Sequence, residues 1–241
     1  MAKGIYVATS GSMAQLRHLE TLSNNLANVR TAGFKGDRLT FEQVTAQDNG
    51  EALDLPDKTF VDVRERATDL GEGPLTRTDN PLDVALSGNA FLRVETERGV
   101  RLTRAGRMLL GRDGTLRTLT GLPVLDDRDR RIVLPTDKVP RIDENGAIST
   151  EGSGEFVRLG VTAVDMRQGL DKDPDGLFVP PATDAVPLPQ NAVLQGFVEE
   201  SNVSPVKMML ELIEVQRTFS ALRQLITASG DMDQLAARLA Q

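Results

Sequence analysis

The residues with the best spacing for chemistry are the acidic ones between 171 and 176. Asp171-Lys172-Asp173-Pro174-Asp175-Gly176 reproduces D-x-D-x-D-G, the first half of a calcium loop. In such a loop alternate carboxylates converge on a hard cation and a bidentate Glu at the twelfth position completes the shell. The twelfth position here is Ala182, and Pro174 constrains the loop interior. The segment therefore reads as a solvated acidic turn. His18 is the only histidine. It lies on an expected helix without a nucleophile motif beside it, and it reads as a solvated side chain. Asp126-Asp127 and Glu199-Glu200 are carboxylate pairs by adjacency alone. Strand neighbours point to opposite faces, whereas glycosidase chemistry needs two carboxyls facing across a cleft. Both pairs read as solubility charges. Gly71, Gly73, Gly88, Gly99 and Gly106 form neither a dinucleotide fingerprint nor a phosphate loop, and they read as turn and bulge glycines. No catalytic, cofactor-binding or metal-ligating residue is assigned.

Composition narrows the field further. The chain has 241 residues, enough for one good core or a core with a satellite. Apolar residues make up 39%, which argues against global disorder. Aromatics are only 4%, lean for a large ligand pocket. A net charge of −7 argues against nucleic-acid binding. The absence of cysteine excludes disulfides, zinc–thiolate sites and thiol catalysis. The opening MAKGIYVATSGSMAQ has no apolar run of signal-peptide length, and no stretch is long enough to insert in a membrane. The expectation is a chain that stays in the cytoplasm or is exported without a cleaved signal.

With little chemistry to position, the ends of the chain carry the most information. Residues 5–30 and 203–229 both place apolar side chains at near-heptad spacing. Leu19, Leu22, Leu26 and Val29 step by three, four and three, while Met208, Leu212, Val215, Phe219, Leu222 and Ile226 alternate four and three. That spacing draws one apolar seam along each helix. An amphipathic helix can simply cover its own core. Here, however, the seams sit at opposite extremities and polar segments separate them from the middle, which favours helices that want each other or neighbouring copies. The first helix has a marked stop. Asn24, Asn25 and Asn28 cluster near its end, and Gly33 can take the left-handed conformation that closes a helix. Phe34 follows and is expected to pack back. Ser204 and Pro205 open the last helix as N-cap and first helical residue, and Gly230 or Asp231 is expected to end it.

Between the ends, residues 36–75 read as polar and irregular, with turn signals at Asp48-Asn49-Gly50 and Pro56-Asp57 and a short strand from Thr59 to Val63. Short alternating runs then recur: Leu82–Leu86, Phe91–Val94, Gly121–Leu125, Ile132–Pro135, Val157–Val161 and Val193–Val198. Asp113-Gly114 and Asn145-Gly146 mark hairpins. Residues 168–200 are loop-rich, with prolines through Pro187 and Pro189. The expected fold is mainly β with α, a compact antiparallel β domain between long terminal helices that pair in a coiled-coil-like inner layer. The expected divisions are an N-terminal helix 1–33, an extended connecting segment 34–75, a β domain 76–190, a connecting segment 191–202 and a C-terminal helix 203–241.

Several stretches resemble a known family. Gly4-Ile5-Tyr6-Val7-Ala8, Ser23-Asn24-Asn25-Leu26-Ala27-Asn28-Val29 and Thr31-Ala32-Gly33-Phe34-Lys35 are similar to the N-terminus of bacterial flagellar rod and hook proteins. Glu200-Ser201-Asn202-Val203-Ser204-Pro205-Val206 and Gln216-Arg217-Thr218-Phe219 are similar to that family's C-terminal helix. Pro81–Leu86, Thr103-Arg104-Ala105-Gly106 and Gly121–Leu125 look like its β region, so the resemblance covers most of the chain. The length and opening look most like the proximal rod members, with the distal rod members next. Hook members carry an added outer domain for which this chain has no room.

The resemblance implies a structural subunit of the flagellar basal body. It implies export through the flagellar type III apparatus and self-assembly in the periplasm into a hollow rod that transmits torque. The terminal helices would form the inner layer and the β domain would face outward. Implied partners are other copies of the chain, other rod proteins and the export apparatus, with no nucleic acid, no membrane insertion, no cofactor and no reaction. The two helical seams would be the assembly interface, and Asn24, Asn25, Asn28, Gly33 and Phe34 would shape the exit from the first helix. From other classes, a secreted β-rich enzyme with helical arms and a soluble coiled-coil adaptor are the alternatives.

Overall fold

A computed structural model describes residues 2–45, 59–150, 157–165, 169–181 and 191–239. The fold mixes α and β: two helices and a set of small sheets. The chain divides into two compact units. One comprises Met1–Ala27, Asp37–Ala67 and Ser204–Gln241, and the other comprises Asn28–Gly36 and Thr68–Val203.

The first unit holds α1 (Ala2–Ala27), β1 (Asp37–Thr45), nearly all of β2 (Thr59–Thr68) and α2 (Pro205–Leu239). β1 and β2 pair as a two-stranded sheet. The stretch expected to be polar and irregular with a few strands carries these two strands among its described residues, and the short strand expected from Thr59 lengthens to Thr68. The β1 and β2 sequences include Phe41 and Val44, and Phe60, Val61 and Val63, the β-branched and aromatic types that favour strands. The turn signals at 48–50 and 56–57 lie outside the described residues. α1 buries Ala14, Thr21, Leu22 and Asn25 and touches α2, where a Cβ on Gly11 would stand 3.6 Å from Leu222 Cδ1. α2 begins at Pro205, and the Met208 amide donates to the Ser204 carbonyl at 3.0 Å, the first turn of the helix. It does not stop at Gly230 or Asp231 but continues to Leu239. A glycine inside a helix costs about 1 kcal/mol against alanine, and the Met232–Leu239 stretch, with Gln234, Leu235, Ala236, Ala237 and Arg238, supplies strong helix formers to carry it through.

The second unit is built from short strands: β3 (Leu75–Arg77), β4 (Val84–Leu86), β5 (Ala90–Thr96), β6 (Gly99–Thr103), β7 (Met108–Leu110), β8 (Leu116–Thr118), β9 (Pro140–Ile142), β10 (Ala147–Thr150), β11 (Val157–Arg158), β12 (Val161–Ala163), β13 (Val193–Gln195) and β14 (Phe197–Glu199). All pair antiparallel, in three-stranded sheets β12-β5-β6 and β11-β10-β9 and in pairs β13-β4, β14-β3 and β7-β8. The Asp113-Gly114 and Asn145-Gly146 hairpins close β7-β8 and β9-β10 as the turn residues indicate.

β5 organises the core, because its two faces feed two apolar clusters. Ala90, Leu92 and Val94 join Val84, Leu86, Met108, Leu116, Val124, Ile132, Ile148 and Val193. Phe91 joins Leu102, Val164 and Phe178, meeting Phe178 edge to face at 5.4 Å between ring centres. Two expected strands, Gly121–Leu125 and Ile132–Pro135, form only isolated bridges, such as Val94 with Val124 and Thr115 with Val133. The run Val193–Val198 divides at Gly196, whose φ of +78° ends pairing with β4 and starts pairing with β3.

Candidate assembly helices and a buried clasp at the helix exit

The C-terminal seam occupies one face of α2. Val215 is buried, and Met208, Leu212, Phe219, Leu222 and Ile226 are half-buried. On the N-terminal side Leu22 is buried and Leu19 and Leu26 are half-buried on α1. Val29 lies two residues beyond the end of α1 and takes no place on its helical face. The opposite side of α2 carries a second apolar group that the heptad spacing does not contain. Val206, Met209, Leu210 and Ile213 are each 48–67% exposed, at spacings of three, one and three that gather them on one face. Met13 and Leu16 are also exposed on α1.

The residues at the helix exit divide between the units. Asn25 is buried and uses its amide as a surrogate backbone. Its Nδ2 donates to the Asp37 carbonyl at 2.8 Å, and its Oδ1 accepts the Asp37 amide at 2.9 Å, pinning the start of β1. Asn24 is exposed on α1. In the β unit Asn28 closes the following turn, accepting the Thr31 amide on its carbonyl at 3.0 Å and the Thr31 hydroxyl on its side chain at 3.3 Å. Gly33 has φ +68°, and a Cβ there would fall 2.3 Å from the carbonyl of Arg104, so only glycine allows this approach. Its amide donates to the Glu199 carbonyl at 2.7 Å. Phe34 lies under the Lys172 ammonium, 4.3 Å from Nζ to the ring centre.

The next residue enters a buried ion network within the β unit. Lys35 is 1% exposed. Its Nζ donates to Glu199 Oε1 at 2.6 Å and to the Gly71 carbonyl at 2.7 Å. Glu199, also 1% exposed, accepts the Gly73 amide on Oε1 and Arg104 Nε on Oε2, each at 2.8 Å. Arg104 sends Nη1 to the Gly88 and Ala90 carbonyls at 2.9 and 2.6 Å and lies over the Phe91 ring at 5.4 Å. Its buried Nη2 makes no hydrogen bond and stands 3.9 Å from Glu72 Oε1. Burial pushes the Lys35 ammonium below its ordinary pKa, against the hydrogen bond and charge of Glu199, which hold it up.

Glu199 is therefore not a solubility charge. Its position at the end of β14 faces it inward, and two cations offset its desolvation. Asp126 is likewise buried. Burial alone would raise its pKa, but the Arg130 and Arg128 amides and the Arg130 guanidinium hold it below the ordinary value. Their partners Glu200 and Asp127 are half-buried and exposed.

Asp173 spends its carboxylate on the turn. Oδ1 accepts the Asp175 and Leu177 amides at 3.0 Å, and Oδ2 is 3.5 Å from Arg101 Nε. Ala182 lies outside the described residues. His18 is half-buried on α1. The sequence gives Lys35 and Arg104 no separate role, and it presents Glu199 as a solubility charge. Lys35 and Arg104 stand inside the family-like stretches, and the apolar run Phe197-Val198 leading into Glu199 is the available signal for the third.

Known proteins share this organisation at the level of sequence. Residues 5–35 match the family described as flagella basal body rod protein, and residues 194–239 match the flagellar basal body rod FlgEFG protein C-terminal family. The chain is similar to the flagellar basal-body rod protein FlgF of Caulobacter vibrioides, 31% identical over 98% of this chain and 97% of that protein. The FlgF of Rhizobium meliloti is 34% identical over 97% of this chain and 96% of that protein. The flagellar basal-body rod protein FlgG of Bacillus subtilis is 29% identical over 96% and 97%. The exit motif and the final helix fall inside the matched segments, and identity above 30% extends over nearly the whole length of the FlgF proteins: the chain belongs to the flagellar basal-body rod protein family, as a FlgF-like member.

Proposed function

We propose that this chain is a self-assembling subunit of the proximal rod, exported through the flagellar type III apparatus without a cleaved signal and built into a hollow periplasmic shaft that transmits torque. The family supplies the structural role, the basal-body setting and the association with other rod components, and its members are structural proteins and not enzymes. In this reading the N-terminal helix, bounded at Ala27, and the C-terminal helix from Pro205 form a coiled-coil-like inner layer, and the β unit faces outward. Leu19, Leu22 and Leu26 on one side, and Met208, Leu212, Val215, Phe219, Leu222 and Ile226 on the other, hold that layer together, while Val29, beyond the end of α1, leaves the set. Among the described residues no helix is long and apolar enough to cross a membrane.

The observation that carries the assembly reading is the two-sided apolarity of α2. A helix that only covers its own core needs one apolar face. This one turns its seam residues inward and still exposes Val206, Met209, Leu210 and Ile213. Apolar groups clustered on a helix face mark an interaction surface. Heterologous, head-to-tail use of such a surface builds a helical filament and not a closed dimer.

The test is placement in basal bodies. A labelled antibody against this chain should decorate the rod between the inner-membrane ring and the distal rod. Leu210→Glu should leave the monomer's stability within about 0.5 kcal/mol, as for an ordinary surface substitution, and abolish incorporation. Normal rods built from this variant would refute the use of that face.

A further inference from the structure

The chain passes between its two units at four peptide junctions: 27/28, 36/37, 67/68 and 203/204. Two of these have a residue of the β unit close beside them, Gly36 and Asp69, that is hydrogen-bonded to the side chain of Asn202, which itself stands beside a third, 203/204. Its Oδ1 accepts the Gly36 amide at 2.9 Å, and its Nδ2 donates to the Asp69 carbonyl at 2.8 Å and to the Gly71 carbonyl at 3.2 Å. The backbone completes the triangle, since the Asp69 amide donates to the Gly36 carbonyl at 2.8 Å and the Asn202 amide to the Phe34 carbonyl at 3.4 Å. One layer further in, the Lys35–Glu199 pair repeats the pattern, with Lys35 reaching Gly71 and Glu199 receiving Gly73. Segments 28–36, 68–73 and 199–202 are each bonded to the other two without forming a regular ladder.

We infer that Asn202, backed by the Lys35–Glu199–Arg104 clasp, is the mechanical joint that gathers the chain crossings of the β unit and passes load through them. The inference rests on the rod reading above, which requires force to travel along this chain. A load on any one of the three junctions reaches the other two through hydrogen bonds only a residue or two away. Without the joint each strand would be pulled singly and its bonds would open one by one. Asparagine suits the position because it offers an acceptor and two donors on one short side chain. Its orientation is fixed by its partners, since an amide N–H requires the oxygen and two carbonyls require the nitrogen. Aspartate would place a carboxylate against two carbonyl oxygens. Asn202 is a positioning residue and touches no reacting group.

The experiment compares Asn202→Ala and Asn202→Asp with a core variant, Leu116→Val, in the full chain. Hydrogen exchange on the purified proteins is the first readout. Asn202→Ala should speed exchange of the Gly36 and Asp69 amides at least tenfold while the β5 amides keep their protection. Leu116→Val should do the reverse or act uniformly. The second readout is swimming as medium viscosity rises, in cells whose own copy is replaced. Asn202 variants should be incorporated at wild-type levels and lose speed at high load, whereas the core variant should not. Unchanged exchange at Gly36 and Asp69, or load curves that match the core variant at equal thermal stability, overturns the joint. Absence of the wild-type chain from basal bodies overturns the rod reading, while the exchange result still decides whether the Asn202 joint exists.

Discussion

Glu199→Gln is the sharpest perturbation of the β unit. The substitution keeps the shape of the side chain and removes the one buried anion between Lys35 and Arg104, both nearly inaccessible to solvent. Removing one partner of a buried ion pair costs about 3–5 kcal/mol, because the remaining charge stays buried without its counterion. Two cations are stranded here, which places the expectation at the upper end, about 4–5 kcal/mol. Lys35 limits the damage. Its pKa is already lowered by burial, and without Glu199 the contributions that hold it up disappear. The amine can then lose its proton and still donate to the Gly71 carbonyl. A lysine whose folded pKa lies below its unfolded value of 10.5 is destabilising while charged, and stability returns as pH rises through the folded pKa toward 10.5. The variant's deficit should therefore be largest at neutral pH and shrink as pH is raised toward 10. At about 3 °C per kcal/mol for a unit of this size, the β-unit transition should fall by about 12–15 °C at pH 7. Calorimetry at pH 7 and pH 9.5 measures both effects. A loss below about 1 kcal/mol, or a deficit that does not change with pH, would refute the account of a buried anion shared by two cations.

Two further outcomes follow from single positions. Gly33→Ala forces a side chain into the left-handed region and against the Arg104 carbonyl, so it should cost about 2 kcal/mol or more in urea unfolding; an unchanged midpoint would remove the steric reading of that contact. Asp113, held to a pKa of about 2 by the hydroxyl and amide of Thr115 and by Arg117, has a folded pKa below its ordinary 3.8. Its contribution is present above pH 3.8 and lost as pH falls through about 2. Asp113→Asn should flatten that limb of the acid unfolding curve, and a curve identical to wild type would sink the assignment.

Much of the architecture was legible because local chemistry and fold agree. Asp113-Gly114 and Asn145-Gly146 close hairpins where glycine tolerates a positive φ, and Ser204-Pro205 starts α2. The misses share a cause: partners distant in sequence. Gly121–Leu125 and Ile132–Pro135 have strand composition but find only single bridging partners, a tertiary fact no window of residues contains. Gly230 is a helix breaker by propensity, and the residues around it override that cost. Glu199 looked like a solvated charge because its counterions lie 164 and 95 positions away. The seam spacing identified which face of α2 turns inward, yet it could not reveal Val206, Met209, Leu210 and Ile213, which form a short patch without a heptad period.

By sequence the motif Thr31-Ala32-Gly33-Phe34-Lys35 reads as a helix stop, and stopping a helix is the least of what it does. Termination needs only a residue able to adopt positive φ. It does not require that the glycine lie on the Arg104 backbone, that the aromatic receive a lysine, or that the last residue be a cation buried against Glu199. Those requirements come from the β unit, into which residues 28–36 are built as an integral segment. The closing half of the clasp arrives only at residue 199, after every core strand from β3 to β13 has passed. Charge balance in the interior thus couples the two ends of the β unit's sequence. A β unit lacking residues 28–36 would bury Glu199 with one cation in place of two and leave the Gly71 carbonyl without its ammonium donor. The exit motif and the end of β14 consequently behave as one site, and substitutions at Lys35 and Glu199 should be strongly non-additive, as expected for residues sharing one buried network.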